Sequence, residues 1–256
     1  VKLLPVALAA CAAGTCCIAV TTNAAAIPAP EDQPYPGEIH VAADASDIER
    51  RIVRVHESLT GVGPDTVLLY PQWLPGNHAP EGPIERLAGL TVTANGTQLK
   101  WTRDTLNVYA FHVAVPPSVQ AIELDFQYLS PTSAKVGRPE IGSNVLILDW
   151  NTVTLYPAGY YSRQIRTQAT VTLPMGWKFA SALEPLTGTG AQTTFKPVML
   201  NTLVDSPLYA GRYFQQLDLD PGAAVPVHLN LFADRPESLL IKPDALAAHR
   251  ALVQQA

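Results

Sequence analysis

The residues that could do chemistry in this chain are six histidines, 22 carboxylates and three cysteines. His56-Glu57 begins like the zinc-helix motif His-Glu-x-x-His, but position 60 is a threonine. That motif needs two imidazoles on successive turns of a helix, so that both point at one metal. Residues 49–57 (ERRIVRVHE) instead alternate apolar and polar with period two. On a strand of that pattern His56 and Glu57 face opposite sides of a sheet. The other histidines, His40, His78, His112, His228 and His249, show no spacing of three or four residues, and every cysteine falls at positions 11, 16 or 17. No nucleophile elbow, dinucleotide fingerprint or phosphate loop occurs. Dispersed carboxylates converging for acid–base chemistry stay open as a minor reading, since such pairs meet only in space.

The elements that must position these residues are short strands. The 23 prolines are spread along the chain, which suits strands separated by turns and suits long helices poorly. Strands are expected at residues 67–70, 90–94, 98–101, 108–115, 121–128, 145–149, 153–156, 166–173, 193–197, 209–217 and 225–232. Asn95-Gly96 marks a tight hairpin, and Gly188-Thr189-Gly190 marks a second turn. The pattern predicts an all-β fold, an antiparallel β-sandwich or saddle spanning residues 38–240. Its core is expected to use Ile52, Val53, Leu68, Leu69, Phe111, Leu124, Phe126, Val171, Phe214 and Leu229. Lys242-Pro243-Asp244 then introduces an alanine-rich helix over residues 241–256. The chain ends inside that pattern, as a cut chain or a frayed terminus would.

Composition narrows the function classes. Hydrophobic residues make up 47% and charged residues 15%, enough to bury a core. A net charge of −5 gives no electrostatic footprint for nucleic acid. Lys2, an apolar run and Ala24-Ala25-Ala26 read as a secretory signal peptide over residues 1–26, followed by a proline-rich linker over 27–37. Pro5 and Gly14 interrupt the run, so no membrane span is expected. The mature protein is expected to be periplasmic or secreted. The alternative is a lipoprotein anchored through Cys11, after Leu8-Ala9-Ala10.

Residues 70–84 hold two aromatics, four prolines and two glycines. Such a stiff loop is either a corner packed by Trp73 or a rim shaped for a partner. At Leu69-Tyr70-Pro71-Gln72-Trp73-Leu74-Pro75-Gly76-Asn77-His78-Ala79-Pro80 the chain resembles the glycyl aminopeptidase family, a resemblance that covers almost everything from Gly37 to Ala256. These are gluzincin zinc metallopeptidases, often followed by a PDZ domain. The resemblance continues through Leu124-Asp125-Phe126-Gln127-Tyr128-Leu129-Ser130-Pro131, Leu155-Tyr156-Pro157-Ala158-Gly159 and Val204-Asp205-Ser206-Pro207-Leu208-Tyr209-Ala210-Gly211. It implies an N-terminal β domain like the saddle of aminopeptidase N, ahead of a thermolysin-like catalytic domain. The family's zinc ligands match no position here. The resemblance therefore implies a non-catalytic fragment of an exported zinc aminopeptidase, with no cofactor in this chain and zinc in the full-length parent. Its partners would be the catalytic domain and a peptide substrate. In aminopeptidase N relatives a polar saddle group reaches toward the substrate's amino terminus. Alignment on Leu155-Tyr156-Pro157 puts Asp149 and Asn151 in that place. The competing reading is a free-standing exported β-sandwich that binds peptide or glycan through the Trp73 loop.

Overall fold

The structure, a computed structural model, describes residues 26–255 except 75, 77, 134 and 136–139. The expected signal segment before Ala26, with Cys11, lies outside the described residues. In chain order the strands begin with β1 (Glu38–Asp44), β2 (Ile52–Thr60), β3 (Thr66–Leu69), β4 (Leu87–Ala94), β5 (Thr97–Gln98) and β6 (Trp101–Arg103). Next come β7 (Ala110–Val113), β8 (Ala121–Leu129), β9 (Val145–Leu148), β10 (Tyr156–Pro157), β11 (Arg166–Thr172) and β12 (Lys178–Ala180). The last are β13 (Pro185–Thr189), β14 (Gln192–Phe195), β15 (Val198–Met199), β16 (Leu208–Gly211), β17 (Tyr213–Asp218) and β18 (His228–Ala233). Two α-helices, α1 (Leu200–Val204) and α2 (Pro243–Gln255), accompany them.

Nine strands form one large sheet in the order β13-β14-β11-β1-β2-β8-β4-β5, with β15 pairing on β11. Smaller sheets are β10-β3-β7-β6, β12-β16-β9 and the hairpin β17-β18. Among the described strands the pairing is antiparallel except for β1 against β11, which run parallel from Glu38↔Arg166 to Asp44↔Thr172. Alternation along the central strands explains the layering. Val53, Val55, Glu57 and Leu59 of β2 are buried, as are Ile122, Leu124, Phe126 and Tyr128 of β8, while His56 and Asp125 between them are exposed. The inward residues join Leu68, Phe111, Leu146, Leu148 and Leu208 of the smaller sheets in one apolar cluster. Each such side chain contributes about 1.5–3 kcal/mol on leaving water.

The Asn95-Gly96 turn forms as its residues require, with both at positive φ (49° and 75°) between Ala94 and Thr97. Several expectations need correcting. Residues 153–156 are not a strand: a 3-10 turn covers Trp150–Thr152, and only Tyr156–Pro157 pairs, with β3. The threonine hydroxyls explain the turn, because Thr152 Oγ1 donates to the Asp149 carbonyl (2.7 Å) and Thr154 Oγ1 to the Trp150 carbonyl (2.8 Å). The run 209–217 breaks at Arg212 into β16 and β17, which belong to different sheets. Ile52, Leu69, Phe214 and Leu229 are half-buried, the last two because the β17-β18 hairpin lies outside the main cluster. Residues 27–37 lie along the body: Glu31 bridges to Tyr160, and buried Tyr35 donates its hydroxyl to the Thr60 carbonyl. Helix α2 has no buried residue.

These differences in burial set mutational costs apart. Leu124→Ala should lower unfolding free energy by about 2–5 kcal/mol, and Leu229→Ala by clearly less. Urea denaturation of the two variants against wild type measures the contrast.

Candidate functional site

The stiff loop after β3 closes on itself at a neck. The Gly82 amide donates to the Gln72 carbonyl at 3.1 Å, and Trp73 bridges to Pro80. A Cβ on Gly82 would lie 1.9 Å from the Pro71 carbonyl oxygen, so only glycine fits this close approach. Trp73 is 65% exposed and therefore does not pack a corner. The 104–109 segment braces the loop from the side, with the Tyr109 hydroxyl donating to the Pro80 carbonyl at 3.2 Å. That segment is itself held by Asp104, which accepts from the Leu106 and Asn107 amides and sits 2.8 Å from His112 Nε2. The His112 hydrogen bond, and after it these amides, hold the Asp104 carboxyl down at about 2.

Between loop and sandwich lies a cavity of about 510 Å³. Leu74, Pro80 and Tyr109 form one wall, and the turn carrying Glu85 and Arg86 forms another. Glu140 and the 149–152 turn complete the lining, bringing Asp149, Asn151 and Thr152 to the cavity. The expected pair Asp149 and Asn151 is thus brought to one site; Asn151 is buried and Asp149 half-buried. Four carboxylates (Glu81, Glu85, Glu140 and Asp149) and one guanidinium, Arg86, line the cavity. Arg86 lies 3.4 Å from Glu85 and 3.9 Å from Glu140, and donates to the Tyr128 hydroxyl at 3.3 Å. Burial pushes the Tyr128 and Tyr70 hydroxyls above the ordinary tyrosine range, so both stay neutral donors. An excess of carboxylates in a partly enclosed space favours a cationic guest such as an amine.

The 149–155 segment is held from beneath by three contacts. The Tyr70 hydroxyl donates to the Thr152 carbonyl at 3.3 Å, and the Trp150 ring meets Phe195 edge-on at 6.2 Å. The third contact comes from Glu57, which is completely buried; its Oε2 accepts from the Leu155 amide at 3.0 Å. Burial raises the Glu57 carboxyl well above the usual range. Glu57, Arg86 and Glu140 were not among the expected site residues. The one available signal was an acid at an inward position of β2, in phase with Val53, Val55 and Leu59.

The histidines do not assemble a metal centre. His56 sits on the outer face, 2.9 Å from Asp125 and 3.1 Å from Glu123. Among the described residues no group of three or more His, Cys, Asp or Glu side chains could hold a metal ion. None of their helices is long and apolar enough to cross a membrane.

The family model for the peptidase M61 N-terminal domain matches residues 40–212. The chain belongs to that family. The match spans the large sheet, the loop and the 149–152 turn, so the cavity lies within the M61 N-terminal domain itself. Among solved structures, an aminopeptidase N family protein from Idiomarina loihiensis is similar, with 15% identity and a TM-score of 0.64 over 76% of this chain. That likeness shows a shared fold, and this chain covers 32% of that protein's length. A mutant M1 zinc metallopeptidase from Deinococcus radiodurans, bound to a Tyr-Ser-Ala substrate, aligns over 78% of this chain and 46% of its own, at 13% identity and a TM-score of 0.42. A search of curated proteins gave no match.

The buried carboxyl gives this M61 N-terminal domain a predictable pH response. Folding raises the proton affinity of Glu57 above its unfolded value near 4.5. Its contribution is therefore full below that value and is lost as pH rises through the folded-state value. Glu57→Gln keeps an acceptor and cannot ionise. Denaturant unfolding from pH 4.5 upward should show wild type losing stability relative to the Gln variant.

Proposed function

We propose that this chain is the non-catalytic N-terminal domain of an exported zinc metallo-aminopeptidase, where it supports the catalytic domain and shapes the substrate cleft. The observation that carries this reading is the carboxylate-rich cavity built by the 149–152 turn inside a domain of the M61 N-terminal family. A peptide's amino terminus is a cation at neutral pH. Asp149 would attract it, the Asn151 side chain would accept or donate a directing hydrogen bond, and Leu74 and Tyr109 would flank the first side chain. The described residues do not fit a zinc site, since a catalytic zinc takes three protein ligands. Zinc and the attack on the peptide bond are therefore assigned to the catalytic domain. Export rests on the amino-terminal pattern of one lysine, an apolar run and three alanines.

A second reading, a free-standing exported module that binds peptide or glycan, draws on the exposed Trp73 ring. In that case Trp73→Ala would abolish glycan or peptide binding by the chain alone.

Two measurements test the first reading. In an enzyme that joins this domain to its peptidase domain, Asp149→Ala and Asn151→Ala should each raise KM for glycine and alanine amides about tenfold, with kcat nearly unchanged. Unaltered KM in both would remove the cleft role. The chain alone, loaded with zinc and dialysed, should keep no stoichiometric metal and turn over no amide; chelator-sensitive turnover would place the chemistry here instead.

A further inference from the structure

The segment that carries the cavity lining at Asp149, Asn151 and Thr152, residues 149–155, is neither strand nor regular helix, so its position has to come from contacts beyond its own backbone. Inside the segment, the Thr152 amide returns to the Asp149 carbonyl at 2.9 Å and the Val153 amide to Trp150 at 3.2 Å. Those bonds shape the turn but tie it to nothing else. The Leu155 amide leaves the turn and crosses to the large sheet, where Glu57 Oε2 receives it at 3.0 Å. Leu155 and Glu57 are both fully buried, so no solvent acceptor can replace that oxygen. β2 fixes Glu57 firmly, because its register neighbours Val41 and Leu124 hold it in the middle of the large sheet. Every other inward residue of β2 is aliphatic. A leucine at position 57 would fill the same space in an apolar core, so packing alone does not call for a carboxyl.

We propose that Glu57 is a positioning residue for the cavity: it holds the 149–155 segment against the large sheet and thereby places Asp149 and Asn151. The effect on ligand binding rests on the reading of the cavity as the seat of a peptide's amino terminus; the placement of the segment does not. Glu57 touches no guest. It acts through the Leu155 backbone, three residues beyond Thr152 on the cavity surface. The role requires an oxygen acceptor and is indifferent to charge, which separates it from simple space filling. Space filling is served as well by leucine, whereas positioning is served by glutamine and lost with leucine.

The experiment uses the full chain, isotope-labelled for NMR, as wild type, E57Q, E57L and N151A, with alanine amide as the probe amine. In wild type the Leu155 amide should exchange slowly, at least about a hundredfold more slowly than that of exposed Leu106. In E57L, Leu155 exchange should accelerate at least about tenfold and the Asn151 side-chain signals should move, while amides of β8 keep their protection. Alanine amide should bind E57L about tenfold more weakly, a loss comparable to that in N151A. E57Q should restore the slow exchange, the Asn151 signals and the binding. If E57L does not fold, E57M, which also lacks an oxygen acceptor, takes its place. Fast Leu155 exchange in wild type overturns the proposal. So do unchanged Leu155 exchange and Asn151 signals in E57L or E57M, and so does failure of E57Q to restore them. If these signals respond as expected but alanine amide perturbs no wild-type signal, the positioning role stands and the amine reading of the cavity falls.

Discussion

The inner face of the nine-stranded sheet must be covered, and most other features follow from how it is covered. Its central strands turn valine, isoleucine, leucine and phenylalanine to one side, and the smaller sheets supply the opposing layer. Because side chains alternate along a strand, a slip of one residue would send this whole apolar set into water. The register is therefore held firmly, and the covering layer inherits a fixed frame. Loops that cross the sandwich at one end can then be set to a defined shape. The neck at Gly82 and the brace from Tyr109 use that frame to build a cavity wall from residues with little regular structure.

Acidic and apolar residues share the lining of this site: Glu81, Glu85, Glu140 and Asp149 stand beside Leu74, Pro80 and Tyr109. Arg86 keeps part of the acidic set in balance through Glu85 and Glu140. Without it, four carboxylates in a confined space would repel one another and loosen the walls. The guanidinium therefore bears on the shape of the cavity as well as on its potential.

Much of the fold was legible in the sequence, for identifiable reasons. Asn95-Gly96 demands positive φ at both residues, so the hairpin could be read locally. The period-two run at residues 49–57 placed His56 and Glu57 on opposite faces, and the structure agrees. Residues 153–156 misled because valine, threonine and tyrosine favour strands, whereas hydroxyl bonds to the Asp149 and Trp150 carbonyls and the distant Glu57 acceptor fix a turn. Glu57 lies 98 positions from Leu155, and no window on the sequence spans that distance. The half-buried Phe214 and Leu229 misled for a related reason: an alternating hairpin looks the same whether or not another layer covers it. Asp149 and Asn151 came from the resemblance alone, and their company of Arg86 and Glu140 appears only in three dimensions.

The parallel pairing of β1 with β11 carries a temporal meaning. β1 lies in the interior of the large sheet, with β2 on one side and β11 on the other. Its second neighbour is completed only at Thr172, more than a hundred residues after Glu38. A chain emerging from the ribosome can form the β2-β8 ladder early, but the middle of its main sheet stays open until that later strand arrives. Contacts of such long sequence separation fold slowly. Closure of the main sheet therefore waits on a strand made more than a hundred residues later, and β1 has only one of its two neighbours until then.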